Sequence, residues 1–125
     1  MTEISYRNQK LSMESVPVMS LIKKIPTPFY LYSQKQIELN FTRFKSIFKK
    51  VNPIICFSVK SNSNPSILKL LKNLGSGADV VSQGELLRAL NAGIKPNKIV
   101  FSGVGKSEDE IKFAIKKRIL LINAE

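Results

Sequence analysis

Helix-start signals recur along this chain between short apolar runs, and that punctuation restricts the fold more than any other feature. Ser33-x-x-Gln36, Ser82-x-x-Glu85 and Ser107-x-x-Glu110 are capping boxes: the first side chain accepts from the backbone three residues on, and the second reaches back. Asn64 followed by Pro65 marks a fourth start, because proline at the first helical position lacks only a donor that would be orphaned there anyway. Between these starts lie residues 54–60, 78–81 and 99–102, and after the last of them 120–123, apolar and short enough for strands. Strand and helix alternating at this spacing imply right-handed βαβ units and a parallel sheet covered by helices.

The helices carry matching stripes. The first places Ile37, Phe41, Phe44 and Phe48 on one face and ends before Pro53. The second buries Ile67, Leu68, Leu71 and Leu74 ahead of Gly75, and the third Leu86, Leu87 and Leu90 ahead of Gly93. The fourth has Glu108 and Asp109 at its positive end and Lys116, Lys117 and Arg118 at its negative end. Upstream, residues 5–13 read as a pair of short strands and 16–24 as a short helix closed by Ile25-Pro26. Pro26 and Pro28 forbid a helix next, so Phe29-Tyr30-Leu31-Tyr32 reads as a strand.

A closed barrel of eight such units takes about 250 residues. With 125 residues and four barrel-type strands, the chain supplies roughly half of one. It is expected to be truncated just after Glu125, leaving a sheet edge open at residues 120–123.

Within this framework Lys60 is the candidate catalytic residue. Ile54, Cys56, Ser58 and Lys60 share one strand face, while the bulkier Ile55, Phe57 and Val59 share the other. In a β/α barrel the bulky face packs on the helices, and the other leads Lys60 to the carboxyl rim, where active sites sit. Partial desolvation there makes the neutral amine accessible, as Schiff-base chemistry requires. Most of the 20 Lys and Arg residues coat a solvated surface, and only the alternation singles this one out. Asp79, set among Ala78, Val80 and Val81, is costly without a partner. Lys60 at the end of the adjacent strand is the expected one, with an Asp turned to solvent as the alternative. Glu85 is explained by capping.

Other chemistries find less support. The net charge of +11 permits anionic partners, but the lysines are spread over several helices without interleaved aromatic residues, so no nucleic-acid partner is expected. The polar start and the lack of a long apolar run predict neither leader nor bilayer span, hence no membrane partner. One cysteine and no histidine leave no internal disulfide and none of the usual zinc sets, so no metal is expected. A buried thiol at Cys56 fits a reducing cytoplasm. Gly103-Val104-Gly105-Lys106-Ser107 fails as a P-loop, since the glycine required five positions before Gly105 is Val100. The dinucleotide fingerprint fails too, its third glycine falling at Glu108 or, after Gly75 and Gly77, at Val80. Both glycine pairs read as tight turns, with backbone approach to an anion a second use for Gly103 and Gly105.

Three ordered stretches carry a resemblance: Phe57-Ser58-Val59-Lys60-Ser61-Asn62, the run from Gly75 to Leu86 centred on Ala78-Asp79-Val80-Val81-Ser82, and Lys98-Ile99-Val100-Phe101-Ser102-Gly103-Val104-Gly105-Lys106. They resemble the amino-terminal part of the diaminopimelate decarboxylases, pyridoxal-phosphate enzymes of the alanine-racemase-like fold. The likeness covers nearly the whole chain, including Tyr6-Arg7-Asn8 and residues 27–33. It implies an α/β fold in which residues 33–125 begin a pyridoxal-phosphate-binding (β/α)8 TIM barrel. Residues 1–32 would contribute strands to a separate carboxyl-terminal β-domain.

By the same resemblance Lys60 would hold pyridoxal 5'-phosphate as a Schiff base, with Ser58 and Asp79 beside the cofactor. The substrate would be meso-diaminopimelate, decarboxylated to L-lysine and CO2, at an active site completed across a homodimer. The family's ring-stacking histidine, glycine-rich phosphate site and substrate-binding arginines come later than Glu125, so the 125 residues alone are expected to be inactive. Ornithine and arginine decarboxylases and racemase relatives share the lysine, but Ser102-Gly103-Val104-Gly105-Lys106 favours the diaminopimelate branch. The reading from another class is a non-catalytic stub that binds a partner through its open edge.

Overall fold

A computed structural model describes residues 3–124. The chain divides into two compact units, Met1–Arg43 and Phe44–Glu125.

In the first unit, Asn8 and Gln9 take positive φ values of 48° and 61°, which turn β1 (Ile4–Arg7) back onto β2 (Lys10–Met13). This is the expected strand pair. The helix expected over 16–24 starts later: Val16 and Pro17 pair with Met13 and Ser12 as β3 (Val16–Pro17), and only Val18–Ile22 is helical, as α1. Residues 29–32 are not a strand, since no described strand offers them a ladder. Helix α2 (Gln34–Ile47) starts on half of the expected box. Ser33 Oγ accepts from Gln36 N at 3.0 Å, but the Gln36 side chain donates onward to Asn40. Glu14 substitutes for it, accepting from Lys35 N at 3.0 Å and from Ser33 Oγ at 2.7 Å. Of these two, the Ser33 hydroxyl does more to hold the Glu14 carboxyl below its ordinary range.

The second unit is a parallel sheet in the order β4 (Cys56–Ser58), β5 (Gly77–Val80), β6 (Ile99–Phe101), β7 (Leu121–Ile122). Cys56 pairs with Gly77, Ala78 with Ile99 and Val100 with Leu121, so partners lie 21 residues apart at every step. Helices α3 (Pro65–Asn73), α4 (Gln83–Asn91) and α5 (Glu108–Lys117) make the crossovers. All three start where the sequence indicates: Asn64, Ser82 and Ser107 each accept a backbone N–H of the first turn. Only at Ser107 does the box close reciprocally; Glu85 instead takes the N–H of Val81.

One sheet face packs on these helices. Ala78, Val80, Ile99 and Phe101 join Val59, Leu68, Leu86, Ala89, Ile94 and Ala114 in a single buried cluster, with Phe57 and Ile122 packed against it. Leu87 is not part of it. It is 39% exposed, because the turn of α4 that sends Leu86 and Ala89 inward carries Leu87 round to the surface. The apolar face expected on α2 buries no residue: Phe44 and Phe48, ring centres 5.1 Å apart, both stay exposed. Among the described residues no helix is long and apolar enough to cross a membrane.

The strand expected over 54–60 shrinks to Cys56–Ser58 and gives way to one 3-10 turn, Val59–Ser61. Its neighbour begins at Gly77 for a steric reason: a Cβ there would lie 2.2 Å from the Lys98 carbonyl oxygen and 2.9 Å from Cys56 Sγ. Only glycine lets β4, β5 and the segment entering β6 approach so closely.

Candidate active site

Period-two alternation and the parallel register together assemble the polar side of this sheet. Ser58 pairs with Asp79, Asp79 with Val100, and Val100 with Leu121, one row on the face away from the helix core. Ser102 and Asn123 stand two residues beyond Val100 and Leu121 and continue that face past the strands' carboxyl ends. Cys56 precedes Ser58 on it. Its thiol is half-buried and raised above its ordinary value by burial first and by the Asp79 charge second, with Lys98 opposing.

Lys60 leaves β4 on the 3-10 turn, exposed, and among the described residues it has neither a hydrogen bond nor an ion pair. Its loop is fixed by the residues that follow. Ser61 Oγ donates to the Ser58 carbonyl at 2.7 Å, Asn62 N to the Val59 carbonyl at 3.1 Å, and Asn62 Oδ1 accepts from Asn64 N at 3.0 Å. The lysine is thus carried on a short hydrogen-bonded scaffold between a strand end and the cap of α3.

Asp79 does not pair with Lys60. Its carboxylate accepts from Ser102 Oγ at 2.6 Å, and Ser102 Oγ accepts from Asn123 Nδ2 at 3.1 Å. The 3-10 turn takes Lys60 out of the strand, whereas Ser102 arrives in line on the neighbouring strand's extension. Lys106 closes the chain: its ammonium donates to the Asn123 carbonyl at 2.7 Å and to the Gly103 carbonyl, and lies 5.6 Å from the centre of the Phe101 ring. Gly103 takes φ +95°, the turn that brings Lys106 back over the strand ends. Ser102 and Asn123 escaped the sequence reading although the two-residue period that carries the face of Val100 and Leu121 reaches both.

Ser58 is the unusual member of the row. Its Oγ is buried and has no hydrogen-bond partner among the described residues, a state that costs free energy unless another group completes it.

Residues 34–125 match the family model of the pyridoxal-dependent decarboxylases, pyridoxal binding domain. The chain belongs to this family. The pyridoxal-dependent decarboxylase fold agrees with what the structure shows, a parallel sheet with flanking helices forming part of a barrel-like domain. The diaminopimelate decarboxylase of Helicobacter pylori (strain J99) is 57% identical over 105 residues, 84% of this chain and 26% of that relative. That of Haemophilus influenzae is 45% identical over 125 residues, 100% of this chain and 30% of the relative. A crystal structure of diaminopimelate decarboxylase from M. jannaschii in complex with L-lysine aligns with a TM-score of 0.93 at 33% identity. It covers 97% of this chain and 29% of that one. The chain therefore spans less than a third of the length of these pyridoxal-dependent decarboxylases.

The residues present fit the family's cofactor. An aldehyde needs an accessible amine, which Lys60 offers, and a polar heterocycle can complete the orphaned Ser58 hydroxyl.

Proposed function

We propose that this chain is the front part of a diaminopimelate decarboxylase, with Lys60 as the residue that binds pyridoxal phosphate and with Ser58 and Asp79 beside it. The observation that carries this reading is the placement, toward the carboxyl ends of the neighbouring strands β4 and β5, of an unpaired lysine, a buried hydroxyl without a partner and a carboxylate held by Ser102. The names of the most similar relatives support the substrate, meso-diaminopimelate, and the product, L-lysine.

When bound, the cofactor supplies the electron sink that makes loss of a carboxylate from an amino acid feasible. The residues of this chain contribute the rest. Lys60 binds and releases the cofactor through its amine. Asp79, its carboxylate fixed by the hydrogen bond from Ser102, would offer a negative charge to a cationic nitrogen of the bound group. Ser58 offers a hydroxyl that can donate or accept. The helix core behind the sheet keeps water from that side. In the same reading four further β/α units close the barrel, residues 1–32 join a β-domain, and two copies complete the active site. The 125 residues alone then form no lysine.

The test is reduction with borohydride in the presence of pyridoxal phosphate, followed by peptide mass mapping of the full-length protein, with lysine formation from diaminopimelate assayed in parallel. An adduct on Lys60 that disappears in Lys60→Ala, together with lysine formation, is the expected result. An adduct on another lysine refutes the site, and decarboxylation of ornithine or arginine in preference refutes the substrate.

A further inference from the structure

We infer that Ser102 and Asn123 are positioning residues that hold Asp79 as the counter-charge for the nitrogen joining Lys60 to its cofactor, an assignment that rests on the function proposed above. The direction of the hydrogen bonds carries it. Asn123 Nδ2 can only donate, so Ser102 Oγ accepts there, and its single hydrogen goes to Asp79 Oδ1 at 2.6 Å. Both donors run toward Asp79, an arrangement that fixes the plane of its carboxylate.

Asn123 is itself immobilised on both sides of its peptide. Its N–H donates to the Phe101 carbonyl at 2.9 Å, and its carbonyl accepts from Lys106 at 2.7 Å. The relay therefore rests on the ends of β5, β6 and β7 and on the loop after β6, all parts of one packed unit.

A held, half-buried carboxylate calls for a cation, and none of the described residues supplies one as an ion pair. The titratable groups around it are accounted for. Cys56 on β4 feels its charge as a thiol, Lys98 ahead of β6 donates to the Gly75 carbonyl at 3.1 Å, and Lys106 spends its ammonium on two carbonyls. Lys60, beyond the strand that pairs Ser58 with Asp79, is unpartnered. The nitrogen of Lys60, once protonated in its link to the cofactor, is the cation that this geometry leaves for Asp79.

The test is a spectrophotometric pH titration of the lysine-bound cofactor in the full-length protein, without substrate, with melting curves of the cofactor-free variants alongside. Ser102→Ala lowers the midpoint at which the linkage loses its proton by about half a unit to one unit. Asp79→Asn lowers it at least as far, Ser102→Ala adds nothing in the Asp79→Asn background, and Ser102→Thr restores it. Asn123→Ala, which keeps the Ser102 hydroxyl, gives a smaller shift of the same sign and serves if Ser102→Ala does not fold. A midpoint unmoved by Ser102→Ala and Asn123→Ala while Asp79→Asn moves it overturns the inference alone. So do additive shifts, or melting changes without any shift. Absence of a Lys60 adduct in the unaltered protein overturns the proposed function first, and the inference with it.

Discussion

The carboxylate of Glu110 accepts from the backbone N–H of Gln83 at 2.9 Å while its other oxygen accepts from Ser107 N at 3.0 Å. One side chain in the first turn of α5 thereby also seats the first turn of α4, and the loops that follow β5 and β6 are tied together at their helical ends. These hydrogen bonds, Ser107 first and Gln83 second, hold the Glu110 carboxyl below its ordinary value of 4.5.

Glu110→Ala therefore lowers the melting temperature at neutral pH, and the deficit depends on acid. The folded-state value is depressed, so the contribution is complete above the ordinary carboxylate value and fades as the pH falls through the folded one. Melting curves of both proteins from neutral to acid pH should converge at the acid end. A deficit that stays constant would show that the cap acts without its charge.

Gly77→Ala is expected to cost about 3 kcal/mol, the upper range for overpacking, because the closest obstacle is the backbone carbonyl of Lys98. Urea unfolding measures it. Adding Cys56→Ala should recover little, since the thiol is the lesser of the two contacts.

Ser58→Ala separates stability from binding. Removing a buried hydroxyl that has no partner should stabilise the cofactor-free protein by about 1 kcal/mol. The same change should weaken pyridoxal phosphate, as read by equilibrium titration. A loss of stability instead would mean that the hydroxyl is satisfied within the protein.

Cys56 reports the local field. Because Asp79 raises its thiol and Lys98 lowers it, Asp79→Asn should speed alkylation by iodoacetamide at mildly alkaline pH and Lys98→Ala should slow it. Equal rates in the two variants would remove Asp79 from the neighbourhood of the thiol.

Arg118 ends α5 in the left-handed region at φ 54°. Arg118→Gly should stabilise the chain by about 0.5 to 1 kcal/mol, glycine having no Cβ to strain there. Thermal unfolding of the variant checks it.

The sequence made the helix starts legible because capping is local: Asn64, Ser82 and Ser107 need only the next turn to do their work. Strand limits were less legible, since they depend on where a distant partner begins. Ile54 and Ile55 look like strand residues, yet pairing waits for Gly77 and starts at Cys56. At Ser33 the capping partner lies 19 residues upstream, in Glu14, beyond any local pattern. Alternation puts Ser58 on one face with Lys60, and an apolar setting marks Asp79 as needing a partner, but nothing local names the partner of Asp79. Ser102 becomes its neighbour only through the register of β5 and β6, and Lys60 departs from Asp79 because the strand turns one residue before it.

The uniform 21-residue offset between paired strands bears on how the chain is made. A polypeptide leaving the ribosome presents each of β5, β6 and β7 after its partner has already emerged, separated from it by a single helix. Every rung closes a loop of the same modest length, so no strand has to wait for a remote segment, and the sheet can lengthen at its newest edge as synthesis proceeds. The polar row is completed in the same order: Ser58, then Asp79, then Ser102, with Asn123 arriving last to lock the carboxylate in place.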